Sequence, residues 1–146
     1  MNLEMRLFHG PTDWGWVKQY LPLLRVEDTC GMTAVDLDTN TTVGMVIFDN
    51  FMYNSAQAHI VLATPMVLKY GFLEEVFDLV FEGFGKDYLY GFVREDNHKA
   101  LRLNKHLGFK ETARVKEGYG PGCDYIMMEL HKDNCTMYHQ QIQEVA

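Results

Sequence analysis

"DNHKALRLNKHLGF", residues 96–109, is the stretch on which the fold turns. Asp96 or Asn97 can cap a helix by accepting a hydrogen bond from a main-chain N–H of its first turn. Ala100, Leu103 and Leu107 follow at helical spacing and make an apolar stripe suited to packing on a sheet. Gly108 supplies the left-handed residue that ends such a helix, and Phe109 opens the next apolar run. Before the helix, "DYLYGFV" (87–93) reads as a strand. After it, "FKETARVKEG" (109–118) and "CDYIMMELH" (123–131) read as a hairpin around "GYGPG".

Further upstream the period changes twice. "PMVLKYGFLEEVFDLVFEGFG" (65–85) puts Leu73, Val76, Phe77, Val80 and Phe84 on one helical face, with Glu74, Glu75, Asp78 and Glu82 mostly opposite. "GMTAVDLDT" (31–39), "VGMVIFDNFMYNS" (43–55) and "AQAHIVLA" (56–63) are β-branched or alternating and predict an antiparallel meander. "TDWGWVKQYLPLL" (12–24) predicts a helix capped by Thr12 or Asp13, kept short or broken by Gly15 and Pro22. The expected order is helix, three strands, helix, strand, helix, two strands. Strands 56–63 and 87–93, joined through a helix, should lie parallel, and the rest antiparallel. The fold class is therefore α/β, a mixed, mostly antiparallel sheet with helices on both faces. Residues 132–146 read as a flexible tail or a short surface helix.

The bulk properties fit a single domain over 1–146, at 47% apolar and 23% charged residues. No stretch is apolar for long enough to span a membrane, and "MNLEMRLFHG" lacks the form of a signal peptide. Cys30, Cys123 and Cys135 are odd in number and share no CxxC spacing, which points to reduced thiols and a cytoplasmic location. A net charge of −7 argues against broad binding to nucleic acid. Eight of the thirteen Lys and Arg residues lie between Lys86 and Lys116, while the first fifty residues hold three against seven carboxylates. That asymmetry suits a protein joining an anionic cofactor to a cationic substrate, and equally suits solvated charges on unrelated faces.

With its Asn97-x-x-Ala100 and Leu107-Gly108-Phe109 motifs, and with this order of elements over residues 3–131, the chain resembles the GNAT superfamily of acetyl-CoA-dependent N-acyltransferases. It is most similar to the compact branch that includes ribosomal-protein N-terminal acetyltransferases and phage-encoded members, for which the location would be the host cytoplasm. The resemblance implies direct transfer of acetyl from the thioester to an amine: a protein N-terminus, a lysine or a small polyamine-like acceptor. It implies no metal and no membrane, and leaves a homodimer open. It places Asn97, Ala100 and Asn104 along the pantetheine and ADP arm of coenzyme A. Main-chain donors at Val61, Leu62 and Ala63 would polarise the thioester carbonyl, where the sheet splays. His59, or Tyr53 or Asp49 on the preceding strand, would take the amine's proton, imidazole being the side chain whose ordinary pKa is closest to neutrality. Tyr90, Tyr119, Tyr125 or water would protonate the departing thiolate.

Two positions depart from the family pattern. The loop that usually carries Arg or Gln, then x-x-Gly-x-Gly or Ala, here reads "TPMVLKYGFLEE". Leu68 takes the Arg or Gln place, Lys69 the first glycine, Gly71 the second and Leu73 the last, so Lys69, Tyr70, Gly71 and Phe72 are the candidate pyrophosphate contacts. Asn104 stands where the family often has a tyrosine acid. Two rival readings follow: a catalytically silent acyl-CoA-binding or regulatory protein of the same fold, and a nucleic-acid-modifying member. His131, Cys135 and His139 hint at a metal site but lack a fourth ligand.

Overall fold

The period-2 runs become strands and the period-3.6 runs become helices, as the computed structural model of residues 1–23 and 25–138 shows. The elements are β1 (Leu3–Leu7), α1 (Gly10–Val17), β2 (Cys30–Asp36), β3 (Thr41–Asp49) and β4 (Ser55–Leu62). A 3-10 segment (Pro65–Tyr70) leads into α2 (Phe72–Asp78), which continues as a π turn (Leu79–Gly83). Then come β5 (Tyr88–Arg94), α3 (His98–Leu107), β6 (Lys110–Gly120), β7 (Cys123–His131) and a short 3-10 turn (Lys132–Asn134). Among the described residues the seven strands form one sheet in the order β1-β2-β3-β4-β5-β7-β6. Only β4 and β5 are parallel; every other neighbouring pair is antiparallel.

Four local expectations are corrected. β1 was not foreseen: Leu3, Met5 and Leu7 alternate, but the run is five residues long and sits at a sheet edge. Asp13 is not an N-cap; it lies inside the first turn of α1, behind Pro11. The helix expected over 65–85 is broken at Gly71, whose φ of 77° is left-handed. Past Asp78 the wider π turn rotates the buried face, so that Phe81 (5% exposed) replaces Phe84 (37% exposed) in the core.

The sheet is covered on both sides. On one face Val46, Phe48, Leu89, Met128 and Leu130 pack with Phe72, Val76 and Phe77 of α2 and Leu107 of α3. On the other, Met45, Ile47 and Val61 pack against Val17 of α1, with Trp14 and Trp16 closing over them. Residues 132–138, expected as part of a free tail, are packed down. Cys135 is buried, Thr136 donates through N–H to Leu107 O (3.0 Å) and through Oγ1 to His106 O (2.9 Å), and the Tyr138 ring lies 5.0 Å from that of Phe81. The segment thus supplies donors to the free carbonyls at the C-terminus of α3. Residues 139–146, the rest of that expected tail and the place of His139, lie outside the described residues.

A buried carboxyl group fixes α1. Asp13, 2% exposed, accepts two bonds from the Arg6 guanidinium (2.7 and 2.8 Å), one from His9 N–H (2.8 Å) and one from Thr33 Oγ1 (2.9 Å). Burial alone would push this carboxyl up; Arg6, with the His9 and Thr33 donors, outweighs it and holds it below the usual carboxylate range. A lowered folded-state pKa contributes stability that is complete above the ordinary carboxylate pKa and vanishes as pH falls through the folded value. Replacing Asp13 by Ala leaves Arg6 without its partner and should cost about 3 kcal/mol at neutral pH. Urea denaturation should show that the wild type's advantage over Asp13→Ala shrinks as the pH falls from about 6 to about 3; an advantage that grows instead would refute the pairing.

Candidate functional site

β4 and β5 part company halfway along their length. They pair only at Ser55↔Tyr88, Ala56↔Leu89 and Gln57↔Tyr90, although β4 runs on to Leu62 and β5 to Arg94. Beyond the last pair each strand stays with its other neighbour: β4 with β3 as far as Gly44↔Leu62, β5 with β7 as far as Arg94↔Tyr125. The fork between them holds a cavity of about 280 Å³. Ala58 and Gly91, facing each other where the pairing ends, leave it open.

The direction of the main-chain groups follows from the ladders. Ala63 N–H donates to Val43 O (2.8 Å). Since main-chain groups alternate in direction along an antiparallel pair, His59, Val61 and Ala63 address β3, while Ala58, Ile60 and Leu62 address the fork. Likewise Lys132 N–H donates to Asp87 O (2.9 Å), so the main chain of Phe92 and Arg94 turns away from β7 and toward the fork. The fork therefore has two edges of peptide groups facing each other with no strand between.

One wall is the N-terminal half of α3. Asn97 caps that helix, its Oδ1 accepting from Ala100 N–H at 3.2 Å, and Asn97, Ala100 and Asn104 all line the cavity. Arg94 at the mouth is tied to Asp96 by two bonds of 3.0 Å and stands 4.0 Å over the Tyr119 ring. The opposite wall is the turn after α1, where Tyr20, Leu21 and Pro22 border the same space.

His59 also lines the cavity, and its Nε2 lies 2.9 Å from Asp49 Oδ1, with both side chains mostly buried. A carboxylate can only accept here, so Nε2 carries the hydrogen, and in the neutral ring Nδ1 is the nitrogen with a free lone pair. Asp49 in turn borders an open recess of about 320 Å³, together with Asp28, Asn50, Phe51 and Gln57. Burial, then the fields of Asp28 and Asp49, pushes the Cys30 thiol up.

The remaining sequence candidates lie elsewhere. Tyr53 is 99% exposed on the β3–β4 turn and reaches neither cavity. Tyr90 sits at the last paired position, stacked on Tyr88, and does not border the fork cavity; burial, with lesser effects of Glu129 and Tyr88, pushes its hydroxyl up. Tyr119 and Tyr125 do line the cavity. Val61 belongs to the core under α1, and the Ala63 N–H is engaged by β3. Lys69 and Tyr70 are exposed on the 3-10 segment, Gly71 is its left-handed end, and Phe72 is fully buried. Ile60, Phe92 and the Tyr20–Pro22 turn had not been singled out: their contribution comes from main-chain direction and from a distant loop, which no spacing in the sequence encodes. His131 Nδ1 accepts from Asp133 N–H (3.1 Å), and the buried Cys135 thiol is pushed up to about 11 by that burial. Among the described residues no three His, Cys, Asp or Glu side chains are grouped to hold a metal ion.

No family model matches the sequence, and no curated protein matches it. Solved structures do. The spermidine/spermine N-acetyltransferase SpeG of Vibrio cholerae superposes with a TM-score of 0.71 at 16% identity, over 89% of this chain and 92% of that one. A mutant form of the same enzyme gives 0.72 at 17% identity, over 90% and 96%. Ard1 of Thermoplasma volcanium gives 0.72 at 16% identity, over 90% and 98%. The chain has the GNAT fold.

The cap at Asn97 and the lining at Asn97 can be separated by substitution. Asn97→Ala should lower stability by about 1 kcal/mol, whereas Asn97→Ser, which keeps a capping oxygen, should lose less than half of that. Equilibrium unfolding of the two variants decides it; equal losses would show that the side chain does not hold α3 by its cap.

Proposed function

We propose that the chain is an N-acetyltransferase that moves acetyl from acetyl-CoA to an amine, and the observation that carries this reading is the fork between β4 and β5. Its edges are peptide groups set to bond an extended, amide-bearing chain as a strand would, which fits a pantetheine arm. When bound, acetyl-CoA would supply an activated acetyl group whose thiolate is a good leaving group.

The chain's own residues do the rest. The N–H groups of Ile60 and Leu62 point into the fork and can stabilise negative charge developing on a carbonyl oxygen there, an effect often worth about 3 kcal/mol per donor. His59 Nδ1 takes the proton that the attacking ammonium must lose before nitrogen can bond to the acetyl carbon and the carbon–sulfur bond break. Asp49 orients the ring through Nε2 and stabilises the imidazolium that results. Asn104 cannot donate as an acid, but the hydroxyls of Tyr119 and Tyr125 border the same cavity. Asp28 and Asp49 beside the second recess support an acceptor that carries positive charge, such as a polyamine, a lysine or a protein N-terminus. The naming of spermidine acetyltransferases among proteins of this fold supports the same class. No described helix is long and apolar enough to cross a membrane, and the three free thiols suit the cytoplasm.

A second reading, a silent acyl-CoA-binding protein, is favoured by Asn104 and by the altered loop after β4. Calorimetry with acetyl-CoA and a thiol-release assay over an amine panel separate the two: binding without turnover on any amine selects the silent protein, and no binding removes both. For the enzyme, His59→Gln should lower kcat by about a hundredfold or more while leaving donor affinity unchanged. Asp49→Asn should lower kcat by about tenfold and displace the acidic limb of the pH–rate profile toward lower pH. Unaltered kcat in His59→Gln would take the base away from His59.

A further inference from the structure

We infer that this chain recognises its donor through the pantetheine arm and the thioester, with little contribution from the ADP end, so that a pantetheine thioester is held about as well as a coenzyme A thioester. This rests on the proposed function. It arises from a mismatch: the fork fits half of coenzyme A, and the segment after β4 does not fit the other half.

A diphosphate is held by converging main-chain N–H groups at a glycine-rich turn, by a helix N-terminus free of acidic side chains, or by cations. Here the turn closes on itself. Thr64 Oγ1 accepts from Met66 N–H and Thr64 O from Val67 N–H, both at 3.3 Å. Pro65 has no N–H to offer, and Pro65–Tyr70 then coil as a 3-10 helix whose donors bond locally. Gly71 is the only glycine of the segment, and its carbonyl accepts Glu75 N–H at 3.2 Å.

Electrostatics point the same way. Between Ala63 and Phe84 the chain carries one cation, Lys69, against Glu74, Glu75, Asp78 and Glu82. Glu74 and Glu75 occupy the first turn of α2, where they complement the helix dipole and oppose an incoming anion. Glu74 Oε2 is buried without a hydrogen-bond partner among the described residues, 3.8 Å from where a Cβ on Gly71 would stand. A diphosphate brought to this turn would meet an acidic group at close range. The fork, by contrast, has both peptide edges, the Asn97 wall and the His59–Asp49 pair in place.

The test measures binding to the full chain by calorimetry, with S-acetyl-pantetheine, acetyl-CoA and adenosine 3′,5′-bisphosphate as probes. The expected result is that the two thioesters bind within tenfold of each other and that the bisphosphate fails to displace acetyl-CoA. Acetyl-CoA binding tighter by tenfold or more, or displacement by the bisphosphate, overturns the inference and leaves the acetyltransferase reading standing. No binding of either thioester overturns both. Thiol release with each donor on an accepted amine adds a second readout, for which kcat/KM values within tenfold are expected.

Discussion

The site depends on a competition between hydrogen-bond partners. β4 and β5 are parallel neighbours, yet each is also half of an antiparallel pair that continues to its end, β4 with β3 and β5 with β7. Antiparallel pairing is slightly the more stable per residue, and a sheet twists. When the two antiparallel pairs diverge, the parallel ladder is the one that yields. It ends after Gln57↔Tyr90, and the main-chain groups of Ile60, Leu62, Phe92 and Arg94 face a gap of their own making. The same groups that would have closed the sheet are thereby available to a ligand that imitates a strand.

The helices that wall the fork are held at points remote from it. α1 hangs on the Asp13–Arg6–Thr33 network, which ties its first turn to β1 and β2 and so sets where Tyr20, Leu21 and Pro22 emerge. α3 is fixed at its N-terminus by Asn97 and at its C-terminus by residues 134–136. There Gly108, at φ 107°, passes so close to Asn134 O that an added Cβ would stand 1.9 Å from it. A gap needs stiff walls if it is not to collapse; α1 is held by a buried carboxyl group and α3 by hydrogen bonds at both of its ends.

The sequence made β2 to β7, their mixed pairing and the capped α3 legible because each rests on local pattern: alternation in Cys30–Asp36, apolar spacing at Ala100, Leu103 and Leu107, an Asx cap and a left-handed glycine. Asn97, Ala100, Asn104 and His59 were marked by the family resemblance that those motifs carry, and all four border the fork cavity. What could not be read is set by long-range register. Whether Val61 or Ile60 turns its N–H into the fork depends on which β4 residues bond to β3, and a shift of one residue reverses it. The π turn at Leu79–Gly83, which exchanges Phe84 for Phe81 in the core, has no local signature either. Tyr53 shows the other limit. Its place near His59 in the chain suggested proximity, but the β3–β4 turn carries it into solvent.

The two sides of the fork pose different electrostatic problems, and the chain meets them unequally. On the side proposed for the acceptor, Asp49 bonds the His59 ring and, with Asp28, presents carboxyl groups to an adjoining recess. In the proposed reaction, a cation drawn there would arrive next to the His59 ring. On the side proposed for the donor the pattern for an anion would be the reverse, with cations and unpaired N–H groups, and the first turn of α2 instead offers Glu74 and Glu75. Peptide-to-peptide bonding in the fork carries no net charge and is indifferent to this imbalance, since amide groups bond alike in acidic and basic surroundings. On the proposed reading, an acidic chain with a strand-like slot can hold a neutral, amide-rich arm without solving the problem of its charged end, and its surface charge would be left to select the amine.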